Sequence, residues 1–254
     1  MSKPILNLEP SPIDERDWIA ESIFPPISDS FPSKLDLRDD MQPVRSQGNQ
    51  GTCAAQTASA MKEWQEHQDV NLNEYLSPQF VYDNRCNPDS SGMYARDVMK
   101  ILNKVGICKE TTYPYGKSMN ITDEISKEAL KFLIKSYAQI NTIDGLKTAL
   151  VKSGPCFIAV PVYNYGPRMW KPEQGEKHLG GHAMTIVGWT KEGFIIRNSW
   201  GKYWGDDGYT IFPYCDWGLQ WEVWTTIDAN SEKPLPEPRW YIKLWNAIKK
   251  LFGF

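Results

Sequence analysis

Cys53, His182, Asn198 and Gln47 carry the four side chains that thiol-based acyl transfer needs: a nucleophile, a base, an acceptor that orients the base, and an amide that holds an oxyanion. They lie in three islands, Ser46-Gln47-Gly48-Asn49-Gln50-Gly51-Thr52-Cys53-Ala54-Ala55, Gly181-His182-Ala183 and Arg197-Asn198-Ser199-Trp200-Gly201. A free thiol, with a pKa of about 8.5, is only a few per cent thiolate at neutral pH. Two devices can ionise Cys53, a histidine that shares its proton and a helix N-terminus whose unpaired N–H groups favour negative charge. Full ionisation raises the reactive fraction only about 30-fold, roughly 2 kcal/mol, whereas one oxyanion donor contributes about 2.7–4 kcal/mol. The expected donors are the Gln47 side-chain amide and the Cys53 N–H, with Gly48 and Gly51 letting the loop fold back over the sulfur. His182 then takes the thiol proton through one ring nitrogen while Asn198 holds the other, and Trp200 shields that bond from water.

These groups need elements to position them. Ala54, Ala58, Met61 and Trp64 or Gln65 recur at helical spacing after Cys53, with no Gly or Pro before Pro78, so the sulfur falls in the first turn of a helix with Thr52 as its N-cap. Residues 182–189 and 193–197 read as a hairpin around Thr190-Lys191-Glu192, placing His182 and Asn198 on neighbouring strands. Further helices are expected over 94–105 with a stop at Gly106, over 123–135, and over 143–152 with a stop at Gly154. From Cys156 onward β-forming runs dominate, including 209–212 and 222–227. A helical half followed by a β half is an α+β arrangement whose two lobes would face each other across a cleft.

The islands resemble the papain-like cysteine peptidases in Gln47-Gly48, Gly51-Thr52-Cys53, Gly181-His182-Ala183-Met184, Arg197-Asn198-Ser199-Trp200-Gly201 and Trp204-Gly205 to Gly208-Tyr209. The histidine follows the cysteine at about the 130-residue separation typical of that family. Weaker echoes are Leu76-Ser77-Pro78-Gln79, Gly106-Ile107, Tyr113-Pro114-Tyr115 and Gly154-Pro155, so the resemblance spans residues 34–228. It implies a two-lobed fold, with a helical N-terminal lobe, an antiparallel β-barrel-like C-terminal lobe and the active-site cleft between them. It also implies an endopeptidase acting through a Cys53 thiolate, a His182 imidazolium and a thioester acyl-enzyme, with no cofactor and no metal. Substrate would lie extended along Ser91-Gly92-Met93, donate to the Gly181 carbonyl, and place an apolar side chain, two residues before the scissile bond, against Met93 or Tyr94 and Ala159. Gln50 stands where the family usually has a second cysteine, and Ala54 where it usually has an aromatic residue. The likeness is therefore to a divergent branch without that disulfide, of bacterial or large-DNA-virus type.

The composition fits one catalytic unit: 254 residues, 41% hydrophobic, can bury a sizeable core. A net charge of −3 offers no basic field for nucleic acid. The five cysteines are widely spaced without a Cys-x-x-Cys pair, which indicates neither zinc nor a dense disulfide framework. His178 and His182 are four apart, but Gly180-Gly181 argues against a metal-binding helix there. Without an apolar signal core or an 18-residue apolar run, cytoplasmic synthesis is expected.

Three segments follow: an arm over 1–33, a catalytic domain over 34–230 and a tail over 231–254. The arm holds Pro10, Pro12, Pro25, Pro26 and Pro32, is too short for a long helical inhibitory segment, and is expected to pack on the surface, the alternative being that it crosses the cleft and restrains activity. The tail follows a Pro-rich hinge. Tyr241, Leu244, Trp245, Ile248, Leu251 and Phe252 form one helical stripe, and Arg239, Lys243, Lys249 and Lys250 meet no acid. It fits a helix on an anionic membrane surface, on a protein partner or on its own domain. Two other functions share the motif: a transpeptidase or ligase, in which an amine resolves the acyl-enzyme, and a non-catalytic peptide-binding scaffold.

Overall fold

The structure is a computed structural model that describes residues 4–24 and 31–228. The hinge and the tail stripe lie outside the described residues. Among the described residues the six α-helices are α1 (Ala20–Ile23), α2 (Cys53–Val70), α3 (Pro78–Asp83), α4 (Ala95–Lys104), α5 (Asp123–Ala129) and α6 (Ile143–Ser153). The strands are β1 (Leu35–Asp36), β2 (Ile134–Gln139), β3 (Cys156–Val162), β4 (Gly180–Trp189), β5 (Gly193–Arg197), β6 (Tyr209–Pro213) and β7 (Glu222–Asp228). They form a seven-stranded antiparallel sheet in the order β2-β7-β3-β4-β5-β6, with β1 added alongside β4.

Helix α2 is the axis of the first lobe. It is buried on every side from Cys53 to Glu63, a wider burial than the single apolar stripe its sequence spacing predicts. The charges this buries are paired. Glu63 accepts from the Arg45 guanidinium at 2.9 Å and from the Leu76 N–H at 2.9 Å, and Lys62 lies between Glu66 at 2.6 Å and Asp228 at 2.7 Å. The helix closes at Asn71 in the left-handed conformation, whose N–H reaches the Glu66 and His67 carbonyls.

Strand β3 is buried throughout, and its alternation splits the interior in two. Phe157 and Ala159 join Ala58, Met61, Val98 and Leu102 beneath α2 and α4. Ile158 and Val160 join Leu146, Leu150, Met184 and Phe212 beneath α6. Thr122 and Thr142 cap α5 and α6 by accepting from the Ile125 and Gly145 N–H groups. The helix expected to continue to Lys135 instead ends in a 3₁₀ turn at Leu130–Phe132, and Ile134–Gln139 becomes β2. Pairing with β7 over Tyr137–Gln139 and Trp224–Thr226 outweighs local helical preference there. Among the described residues no helix is long and apolar enough to cross a membrane.

Candidate active site

His182 lies on β4 opposite Val160 of β3, and Asn198 follows the last residue of β5, whose Arg197 pairs with Thr185. The expected hairpin forms, and its register brings the two side chains together: His182 Nε2 and Asn198 Oδ1 are 2.7 Å apart. The backbone N–H of Ser199 also points at Asn198 Oδ1, at 2.7 Å. That N–H can only donate, so the atom it faces is the amide oxygen, and Nε2 must donate its proton to the same oxygen. Nδ1 is therefore the basic nitrogen of the neutral ring, and it is buried without a hydrogen-bond partner. The Trp200 indole lies over the imidazole with ring centroids 4.6 Å apart, backed edge-on by Trp204, so the His182–Asn198 bond is sealed from water.

The opposite wall is the start of α2. Cys53 is its first residue, and the sulfur is flanked by the backbone N–H groups of Ala183, Ala54 and Cys53 itself. Thr52 occupies the N-cap position, but its hydroxyl makes no capping bond, contrary to the expectation from sequence. It goes instead to the Tyr115 hydroxyl, 2.6 Å away. Gln47 reaches back over this turn. Its amide donates to the Gln50 carbonyl at 2.9 Å, leaving a second N–H, and its Oε1 accepts from the Ser199 hydroxyl at 2.8 Å. The Gln47 N–H donates to the Ser199 carbonyl at 2.8 Å, and Arg197 holds the preceding loop through the Pro43 carbonyl at 2.8 Å, so the two walls are tied together.

Both reacting groups are fully enclosed. Burial pushes the Cys53 thiol up to about 11 and the His182 imidazole down to about 4, with the Asn198 bond opposing the latter. In this closed form desolvation works against ionising either group.

The N-terminal arm packs against both sides of the site. Leu8 donates to the Gly181 carbonyl at 3.3 Å and Glu9 to the Met93 carbonyl at 3.4 Å, as parallel bridges Asn7↔Gly181 and Glu9↔Tyr94. The Asn7 side chain bonds Ser91, and the Tyr94 hydroxyl donates to Glu9 at 2.8 Å. Leu8 is 2% exposed and shares one apolar cluster with Cys53, Met93, Ala159 and Ala183. A Cβ on Gly92 would stand 1.5 Å from the Asn7 carbonyl oxygen, and one on Gly181 would stand 2.2 Å from that of Leu8, so only glycine admits this approach. Gly92, Met93, Tyr94, Ala159 and Gly181, the five residues expected to hold substrate, thus all meet the arm or share its cluster.

Farther along, Ser11 donates twice to Glu222, Asp17 takes a bidentate bond from Arg96, and Glu21 accepts from the Asn141 and Thr142 N–H groups at the start of α6. Packing on the surface away from the cleft, the arrangement expected for residues 1–33, is not what the described part of the arm does. The missed signal is Leu6-Asn7-Leu8-Glu9, buried and exposed in strict alternation, a strand pattern between Pro4 and Pro10. Glu222, which holds Ser11, and Trp221, which lies beside Gly181, were also missed. His178 sits between the Tyr163 and Trp221 rings.

The family model described as papain family cysteine protease matches residues 31–227. A cysteine protease of Blomia tropicalis is 28% identical over 207 residues, 71% of this chain and 60% of that protein. An uncharacterized peptidase C1-like protein of Acanthamoeba polyphaga mimivirus is 29% identical, over 73% of this chain and 70% of its own length. The chain thus spans about three-fifths of the mite relative. Among solved structures, xylellain, a cysteine protease from Xylella fastidiosa, superposes with a TM-score of 0.78 at 27% identity, covering 89% of this chain and 96% of that one.

Proposed function

Because this chain belongs to the papain family of cysteine proteases, we propose that it is an endopeptidase whose nucleophile is Cys53, with the arm as its built-in restraint. The observation that carries this reading is the sealed His182–Asn198 bond, which leaves a buried basic nitrogen, Nδ1, without a partner. A buried acceptor left unpaired is destabilising, by about 1–3 kcal/mol, and such a cost is retained where chemistry uses the group.

In the reaction, Nδ1 takes the Cys53 proton as sulfur attacks the scissile carbonyl. Asn198 keeps the ring oriented and carries no charge of its own. The carbonyl oxygen, now an anion, receives the free Gln47 N–H and the Cys53 N–H. Collapse expels the amine with the proton from Nδ1 and leaves a thioester. Water then attacks with Nδ1 as base, and the acid product departs with thiol and imidazole restored.

The restraint follows from direction. Leu8 takes the apolar pocket where a substrate would put the side chain two residues before the scissile bond, so a substrate must run C-terminally from there to the sulfur. The arm runs the other way: Ile5, on the N-terminal side of Leu8, packs toward Gly51, while Glu9 and Ser11 lie against Tyr94 and Arg96. Its peptide bonds are presented in reverse, which is why it blocks without being cut. Departure of the arm rehydrates Cys53 and His182, removes the desolvation that favours the neutral forms, and lets the ion pair form.

Hydrolysis of extended peptides, followed by mass spectrometry of the products with and without added amine, tests the activity. Acid products lost on Cys53→Ala are expected. Amide products predominating in millimolar amine would make the chain a ligase, and binding without turnover would make it a scaffold.

A further inference from the structure

Tyr115 lies outside the reacting groups, in a turn that the fold presents to the site with care. Tyr113, two residues before it, is completely buried, and its hydroxyl donates to Asp83 at the end of α3 at 2.7 Å. The Ser77 hydroxyl donates to the Tyr113 carbonyl at 2.6 Å, and the Gly116 N–H donates to the Gln79 side chain at 3.0 Å. The turn is thereby fastened to α3 on both sides of Tyr115.

From this anchor the Tyr115 hydroxyl spans the Gln47–Thr52 loop. It is 2.7 Å from the Gln47 carbonyl oxygen and 2.6 Å from Thr52 Oγ1. A carbonyl can only accept, so the single phenolic proton goes to Gln47 and the Thr52 hydroxyl donates to the phenolic oxygen. Burial raises the Tyr115 pKa, so the donor is kept. The chain of bonds joins the residue bearing one proposed oxyanion donor, Gln47, to the residue immediately before the other, Cys53. The Thr52 hydroxyl oxygen, engaged with Tyr115, accepts from no first-turn N–H group of α2, and those groups stay available beside the sulfur.

We propose that Tyr115 is a positioning residue for the oxyanion site, setting the separation between the Gln47 amide and the Cys53 N–H through one shared hydroxyl. The inference rests on the endopeptidase reading and adds to it a residue that touches neither substrate nor sulfur. A clamp of this kind acts only where an oxyanion develops. Alkylation of Cys53 by iodoacetamide forms a C–S bond as iodide leaves with the bonding pair, and develops no oxyanion, so it reports on the thiol alone.

The test compares Tyr115→Phe with the unaltered chain by peptide hydrolysis and by iodoacetamide. Loss of one hydrogen bond of ordinary strength predicts a fall of about fivefold to tenfold in kcat. KM and the alkylation rate are expected to stay within about twofold, and Tyr115→Phe in a Gln47→Ala background to cost nothing more. An unchanged kcat, alkylation falling in step with kcat, or effects that multiply in the double variant overturns the proposal. Thr52→Val removes the same chain of bonds from its other end and must reproduce the pattern should Tyr115→Phe fold poorly. If Leu8→Asp, with the arm loosened, hydrolyses no peptide, the endopeptidase reading falls by itself. The clamp is then read from the Gln47 side-chain amide resonances, identified by their loss in Gln47→Ala: a shift in Tyr115→Phe supports it, and unmoved resonances overturn it.

Discussion

On one wall of the cleft, His182 stands within a pairing that runs unbroken from Cys156↔Ile186 to Val162↔Gly180, and Asn198 is carried by the next strand. On the other, Cys53 and Gln47 belong to a helix start and an irregular loop, held by separate bonds from Ser199 and Tyr115 to Gln47 and from Gln47 to Gln50. The sheet wall takes its precision from strand register, which no single side chain supplies. The helix wall takes its precision from discrete hydrogen bonds, each removable by one substitution. Losses on the first wall should therefore be all-or-none for chemistry, and losses on the second graded and separable into thiol reactivity and oxyanion stabilisation.

The largest effect tests the shared centre. Cys53→Ala or His182→Ala is expected to lower kcat/KM for peptide hydrolysis by at least about 10⁴-fold, as in other nucleophile–base pairs. Steady-state assays with both variants check this, and residual turnover within tenfold of the unaltered chain would remove the pairing. Next, Gln47→Ala should lower kcat by about 10²–10³-fold. Its iodoacetamide rate should hardly change. A parallel fall in both rates would mean that the helix wall is one unit after all, and the contrast between the walls would fail.

The arm bridges both walls, so loosening it sharpens the comparison. Leu8→Asp gives up the burial of one leucine, about 1.5–3 kcal/mol, and should raise kcat/KM toward peptides by about 10- to 100-fold. No increase in initial rates would show that the arm does not limit access. The smallest effect is on stability. His182, depressed by burial to about 4 against 6.5 for a free imidazole, leaves the unfolded chain binding more protons between these values, so stability should fall as pH drops through that window. Cys53, raised to about 11 from 9.0, has the opposite sign of proton uptake and should cost stability as pH rises from 9 toward 11. Denaturant midpoints across pH measure both slopes, and Leu8→Asp should flatten them by admitting water.

What could be read from the chain follows the same division. The His182–Asn198 pairing and the Gln47 turn before α2 were legible because each motif keeps its residues close in sequence, and the hairpin and α6 because turn and cap residues bound them. Strand β2 was not: a helix running on from Asp123 and a short β-forming run beginning at Ile134 compete locally, and β7, far downstream in the chain, decides between them. Nor was Tyr115, whose value depends on distances to Gln47 and Thr52 that no spacing encodes. The course of the arm was half legible, since Leu6 and Leu8 alternate as an edge strand does, but the surface that accepts them is assembled from Gly181 and Met93, far apart in sequence. The charged burial within α2 has no sequence periodicity to betray it.

The account stands most directly on the reactivity of Cys53, and one labelling experiment reads it. Leu8→Asp, with and without His182→Ala, is exposed to a peptidyl epoxide at neutral pH, and the rate and position of the adduct are mapped by mass spectrometry. The expected result is a single adduct on Cys53 that forms far more slowly once the imidazole is gone. Labelling spread at similar rates over Cys86, Cys108, Cys156 and Cys215, or a Cys53 rate indifferent to the loss of His182, would contradict it.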